Sequence, residues 1–308
     1  MFMLENLWVE KYRPSSCEGY VFANNIYQNK INQWIAEKNI PHLLFFGGPG
    51  TGKTTLAKIL INEIGVEDAD VMEINASREN NVDIVRNKVV NFSQTMPWGD
   101  FKVILLDEAD YMTLNGQAAL RGIMEQYASV VRFILTCNYQ NKIIPAIHSR
   151  CQVLQINALD QTEFTVRAGE ILAKENVDFE LEVLDLFVRA HYPDLRKTIN
   201  SLQQNVIDNK LVAPTSADSS DDYKIKMVEL FKAGKITEAR ELIVKQINEN
   251  EYEEMYRFLY DNLDLISKDD SGQDEALLVI RKGLVNHALI MDPEINLSAT
   301  LIELTRIK

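Results

Sequence analysis

The run Gly47 to Thr54, GGPGTGKT, carries the clearest chemistry in the chain. Its spacing is G-x-x-x-x-G-K-[ST], with Gly47, Gly52, Lys53 and Thr54 in the fixed positions of a phosphate-wrapping loop. Gly48, Pro49, Gly50 and Thr51 fill the curl. Its glycines let successive N–H groups turn inward, and the helix N-terminus that follows favours an anion. Lys53 can reach terminal phosphates, the Thr54 hydroxyl suits Mg2+, and Thr55 continues the helix start. A second signal is FKVILLDEAD, 101–110. Asp107 fits the carboxylate that organises magnesium, and Glu108 the base that orients or deprotonates an attacking water. Asp110 fits an acidic cap on the next helix. Asn138 ends VVRFILTCN, 130–138. Its carboxamide can hold the lytic water near a γ-phosphate, or it is a turn residue that closes the strand. These residue types at this spacing predict a chain that binds a nucleoside triphosphate with magnesium.

Chemistry of this kind needs rigid elements to position it. Leu43 to Phe46 read as a short buried strand, and Leu56, Ala57, Ile59, Leu60 and Ile64 recur at helical spacing behind the loop. Ile31, Trp34 and Ile35 predict a helix within 26–38, broken by Pro41. Gly65 ends the helix after the loop, and DADVMEIN, 68–75, predicts the next strand. Val82, Ile84, Val85, Val89 and Phe92 fit a helix from about 81 to 94. The apolar run 101–107 suits a strand buried on both faces, and its two acids stand at the C-terminal end, where ligands of parallel sheets bind. A helix over roughly 114–127, the strand 130–138 and the strand QVLQI complete an alternation that predicts an α/β fold, a parallel αβα sandwich. Before it, WVEKYRPSS, 8–16, is an arm packed on the core or a wall for the adenine base, with Val9 and Tyr12 supplying apolar surface.

From Ala158 the pattern is helical alone, over 160–175, 180–191 and 194–207. VAPTSADSSDD, 212–222, is the best linker. Beyond it, 223–308 is helical throughout. The predicted division is a nucleotide-binding domain with its arm at 1–157, a small helical domain at 158–211, the linker, and a helical packing domain at 223–308.

Composition narrows the class. The chain has 308 residues, 46% hydrophobic and 25% charged, as expected of a globular protein with more than one domain. No apolar run approaches the roughly 18 residues that span a bilayer, so no membrane role is expected. Cys17, Cys137 and Cys151 lack C-x-x-C spacing, and a reducing cytoplasm is the expected setting. A net charge of −13 argues against non-specific coating of nucleic acid, yet leaves room for a local basic track.

Taken together, YRPSS, GGPGTGKT, LLDEAD, TCN, HSRC and PDLRKTI resemble the small ATPase subunits of sliding-clamp loaders in the AAA+ superfamily. The motifs cover about the first 205 residues; the remainder matches in size and helical character. IPH, NFSQ and PDLRKTI are most similar to the T-even-type phage loaders, with replication factor C small subunits close. The resemblance implies an AAA+ fold with a helical lid and an all-α collar. It implies that Arg150 is an arginine finger acting on ATP held by a neighbouring subunit, and that Asn138 and Arg196 sense the nucleotide in cis. Val9, Tyr12, Arg13 and Pro14 match the arm beside adenine. Arg78, Arg86, Lys88 and Arg121 match helices that follow the phosphates of primer-template DNA; as residues alone they fit solvated helix faces equally well. Gln117 matches a glutamine linking the DNA-facing helix to the catalytic centre. The loop MPWGD, 96–100, leaves Met96 and Trp98 costly to expose; with Phe92 it meets the clamp, or the Trp folds back on its own domain. The implied partners are the sliding clamp, primer-template DNA, copies of the chain and a different loader subunit in a pentameric spiral. The implied setting is the cytoplasm, the host's for a phage protein. Alternatives are a DNA-remodelling or branch-migration ATPase and a non-hydrolysing structural subunit; the intact Lys53, Thr54, Asp107 and Glu108 oppose the last.

Overall fold

The structure, a computed structural model, describes residues 7–78, 82–214, 222–247, 251–287 and 289–307, with the backbone alone at 82–86 and 222. Its chain falls into two units. The first comprises residues 1–163 together with Pro193–Arg196, and the second comprises 164–192 and 197–308.

The first unit is built on five strands, of which the three inner ones are apolar at consecutive positions and must be covered on both faces, while the two edge strands mix in polar residues. The five are β1 (Leu43–Phe46), β2 (Val71–Asn75), β3 (Lys102–Asp107), β4 (Val131–Cys137) and β5 (Gln152–Gln155), all parallel in the order β2-β3-β4-β1-β5. Because side chains alternate along a strand, Leu43, Phe45, Val103, Leu105 and Ile134 face one layer, while Leu44, Ile104, Leu106, Phe133 and Leu135 face the other. The first layer receives Ile31 and Trp34 of α2 (Asn25–Glu37) and Leu56 and Leu60 of α3 (Lys53–Ile64). The second receives Val89 of α4 (Val82–Gln94), Leu120, Ile123 and Met124 of α5 (Leu114–Gln126), and Ile147 of α6 (Pro145–His148). A short helix α1 (Trp8–Lys11) precedes them and buries Trp8. The expected αβα sandwich is therefore present. The stretch 68–75 divides into a 3-10 turn over Asp68–Asp70 and then β2.

Register fixes the site. Leu106 pairs with Leu135 and Phe46 pairs with Cys137, so the ends of β3, β4 and β1 stand in one row. Asp107, Asn138 and the loop at Gly47 all leave the sheet there.

The second unit contains α7 (Gln161–Lys174), α8 (Leu181–His191), α9 (Leu195–Gln204), α10 (Asp222–Lys232), α11 (Ile236–Gln246), α12 (Tyr252–Asp261), α13 (Asp270–His287) and α14 (Pro293–Leu304), with α7 and α9 beginning in the first unit. One expectation is corrected. Helices are not alone after Ala158, because β6 (Val206–Ile207) and β7 (Lys210–Leu211) form an antiparallel pair. Asp208 and Asn209 turn it at φ 49° and 59°, a conformation Asp and Asn tolerate better than most residues. Most of the expected linker, 215–221, lies outside the described residues. The core of this unit gathers Tyr223, Phe231, Ile243, Tyr256, Leu259, Ile280, Leu297 and Leu301. Gly283 of α13 lies so close to α14 that an added Cβ would stand 2.3 Å from Thr300 Oγ1 and 2.8 Å from Tyr256 Cε1.

Candidate nucleotide-binding and hydrolysis site

The loop from Gly47 to Gly52 is held by close approach at three points. A Cβ at Gly47 would lie 2.1 Å from the Ile156 carbonyl oxygen, and one at Gly50, where φ is +71°, would lie 2.1 Å from Asp194 Oδ1. Gly52, at φ +90°, starts α3 against the ring of Tyr20, whose atoms would stand 3.1 Å from an added Cβ. Side chains are excluded at these points, so the backbone itself is what the loop offers a ligand. Thr51 Oγ1 donates to the Gly48 carbonyl at 3.0 Å and closes the curl.

Lys53 is buried at 8% exposure. Its ammonium donates to the carbonyls of Gly47 at 2.9 Å and Gly48 at 2.6 Å, and to Asn138 Oδ1 at 2.8 Å. Burial lowers its pKa below 10.5, Cys137, Asp107 and Asp110 pull it back up, and Arg196 lowers it again. Arg196 thus reaches the site through its field, with its side chain exposed at the start of α9.

Asp107 is the hub. Its Oδ1 accepts from Thr54 Oγ1 at 2.7 Å and from Thr136 Oγ1. Thr136 Oγ1 accepts in turn from the Glu108 N–H at 3.1 Å. Glu108 sits at φ 56°, a left-handed conformation that a residue other than glycine adopts at a cost. Sequence reasoning missed Thr136, although its place across from Asp107 follows from the β3–β4 register.

Asp110 departs from expectation. Thr113, not Asp110, caps α5, its Oγ1 accepting from Gly116 N. Asp110 Oδ2 instead accepts from the N–H groups of Asn138 at 3.1 Å and Tyr139 at 3.2 Å, fastening the loop that carries Asn138. The cap belongs to Thr113 because it directly precedes the first helical residue, whereas Ala109–Tyr111 forms a separate 3-10 turn.

The arm reaches the site through Arg13, whose Nε donates to Thr55 Oγ1 at 3.1 Å. Beside α3 a small cavity of about 20 Å³, room for about one water, is lined by Tyr20, Phe22, Tyr27, Leu56, Ile156 and Asn157. No motif marks residues 20–27, so only the fold reveals their place.

Gln117, at 1% exposure, has every side-chain atom that can bond engaged. Its Nε2 donates to the carbonyls of Met112 at 3.2 Å and Lys142 at 2.9 Å, and its Oε1 accepts from Ile144 N at 2.8 Å. It joins α5 to the segment between Asn138 and α6. Arg150 follows α6 and donates to the Ala146 carbonyl at 2.6 Å, to Ser149 Oγ at 3.1 Å and to the carboxylate of Glu125. Arg78, Lys88 and Arg121 are exposed; the Arg86 side chain lies outside the described residues. Met96 and Trp98 are 87% and 84% exposed. Their loop is anchored by two buried charges. Asp70 accepts from Trp98 N at 2.7 Å and Gly99 N at 2.8 Å, while Lys102 donates to the Phe92 carbonyl and Thr95 Oγ1 and stands over the Phe92 ring.

The family model for ATPases associated with various cellular activities matches residues 43–158, which spans β1 to the end of the sheet. The replication factor C small subunit of Methanococcus vannielii is 38% identical over 252 residues, 79% of each chain. The chain belongs to the replication factor C small-subunit family. The small subunit of Aeropyrum pernix is 44% identical over 205 residues, covering 65% of this chain and 63% of its own. Among solved structures, the Thermotoga maritima RuvB Holliday junction branch migration motor aligns with a TM-score of 0.56, covering 80% of this chain and 79% of its own. At 15% identity that likeness shows the AAA+ fold alone. As a replication factor C small subunit by family, the chain is a nucleotide-binding ATPase and a motor component of a clamp loader. Among the described residues, no helix is long and apolar enough to cross a membrane.

Proposed function

We propose that this chain is the motor of a pentameric spiral, built from copies of itself and one different subunit, that opens a sliding clamp and sets it on primer-template DNA. The observation that carries the reading is the hub at Asp107, where the hydroxyl of the phosphate loop and the hydroxyl beside the Glu108 amide meet on one carboxylate oxygen. A catalytic set so joined belongs to a subunit that hydrolyses ATP.

Among the described residues no cluster of three or more His, Cys, Asp or Glu side chains is arranged to hold a metal ion. The Thr54–Asp107 pair nevertheless fits magnesium, which takes one or two protein oxygens, keeps several waters and shares substrate phosphates. These two residues would hold it, and the ion would supply positive charge against the phosphate oxygens. The backbone of 48–52 wraps the phosphates, and Lys53 turns its ammonium from the loop carbonyls to the terminal ones. The arm, fastened to α3 by Arg13, walls the adenine base with Val9, Tyr12 and Pro14. Glu108 accepts the proton of the attacking water, and Asn138, steadied by Asp110, orients that water. Arg196 reads the nucleotide in cis. Arg150 of one subunit stabilises the charge developing on ATP held by the next, an effect worth roughly 10³–10⁵ in rate.

Arg78, Arg86, Lys88 and Arg121 follow the phosphates of the duplex, contacts that position DNA without reading sequence. The exposed Trp98 and Met96, with Phe92, meet the clamp. Residues 158–211 act as lid and 223–308 as collar. The setting is the cytoplasm, the host's for a phage protein, which suits three free thiols.

The deciding measurement is the ATPase rate of the chain alone and with its partner subunit, clamp and primed DNA. A low rate alone and a large rise only with clamp and primed DNA are expected. Strong turnover without a clamp, or a rise with branched DNA, would move the assignment to a remodelling motor.

A further inference from the structure

We infer that Glu125 is a positioning residue for Arg150, fixing the guanidinium so that one edge faces an incoming phosphate; this rests on the reading of Arg150 as a finger acting in trans. Arg150 lies just past the end of α6 and folds back over it. One terminal nitrogen donates to the Ala146 carbonyl, an acceptor left over at the helix end, and to Ser149 Oγ. The other terminal nitrogen is held by the Glu125 carboxylate, which comes from the last turn of a different helix, α5. The side chain is about one-third exposed at 31%, so packing alone does not immobilise it.

Arginine has five N–H donors in a rigid plane. Nε makes no hydrogen bond among the described residues, while both terminal nitrogens are engaged by the chain itself. The Nε side of the fork is therefore what remains for an oxyanion. An arginine held this way surrenders its rotamer freedom before the neighbour's ATP arrives, which is where a positioned group gains its rate.

Two features separate this from an ornamental surface pair. A lone exposed ion pair contributes little to stability, so a structural role for Glu125 would be small in any case. And α5 grips the finger's support twice. Gln117 near its start bonds Lys142 and Ile144, which lead directly into α6, and Glu125 at its end bonds the finger itself. Arg121, proposed to contact DNA, lies between them on the same helix. One rigid element thereby sets both where the finger's helix sits and how its guanidinium is turned.

The test uses the assembled loader with clamp and primed DNA, comparing Glu125→Ala, Glu125→Gln and Arg150→Ala. Glu125→Ala is expected to lower kcat about 10-fold with KM for ATP within about twofold, because the ATP concerned is bound elsewhere. Glu125→Gln keeps an acceptor in place and restores most of the rate, and the Tm of both variants stays at the wild-type value. A wild-type kcat in Glu125→Ala, a change confined to KM, a fall in Tm parallel to kcat, or a raised rate without DNA would each overturn the assignment, the last by making Glu125 a latch. Arg150→Ala separates the two levels. Full activity there sinks the finger reading itself, whereas its collapse beside an active Glu125→Ala sinks only the role given to Glu125.

Discussion

Lys53 carries a charge in a place where burial disfavours charge, and its pH behaviour follows. Its folded pKa lies below 10.5, so between that lowered value and 10.5 the unfolded chain binds more protons and stability rises with pH. Phosphate binding has the opposite sign, since it needs the ammonium. ATP affinity is expected to fall as pH rises toward the lowered value, before 10.5 is reached, and Lys53→Arg should move that loss to higher pH; titration of a fluorescent ATP analogue reads both. Thr136 offers a second check. Thr136→Val removes one donor from Asp107 and leaves the Glu108 N–H without its acceptor, so a loss of about 1–3 kcal/mol in stability is expected, with turnover falling more than ATP binding. The phosphate loop and the two acids were legible in sequence because their chemistry demands fixed spacing along one segment. Thr136 and Glu125 were not, because their partners are 29 and 25 residues away and only strand register or helix packing brings them near.

At the scale of elements, α5 is the part whose function most exceeds its appearance. Gln117→Ala would strand the carbonyls of Met112 and Lys142 and the Ile144 N–H, and a loss of about 1–3 kcal/mol is expected by denaturant unfolding. In the assembled complex the same variant should lose DNA stimulation of ATPase while keeping ATP affinity; retained stimulation would remove Gln117 from the coupling path. In the second unit, Gly283→Ala forces a methyl into Thr300 and Tyr256 and should cost about 1–3 kcal/mol, read as a lowered Tm. The helices were readable from their period and the buried strands from their apolar runs. The β6–β7 pair was lost because two-residue strands have no period to read; the Asp208–Asn209 turn was its one signal. The cap of α5 was misplaced because Asp110 and Thr113 both suit a helix start, and only the intervening 3-10 turn decides between them.

For the whole molecule, the exposed loop at 96–100 is held by the buried charges of Asp70 and Lys102, so its apolar tip is presented by a stiff base. Trp98→Ala should weaken clamp-stimulated ATPase and leave DNA-only stimulation intact; loss of both, or of neither, would remove the clamp from that loop. The sequence named Met96 and Trp98 by their cost to leave bare, but the anchoring carboxylate sits 28 residues earlier, beyond any local pattern. Composition marks the stretch at 212–222 and the pattern changes to helices at Ala158, while the packing boundary falls after Glu163. That boundary is interleaved: Pro193–Arg196 belongs to the nucleotide unit, and the residues on either side of it belong to the other. The consequence is genealogical. A crossover after Glu163 between two such genes would take the phosphate loop from one parent and the Asp194 that packs on its Gly50 from the other, whereas a crossover after Arg196 would keep the pair together.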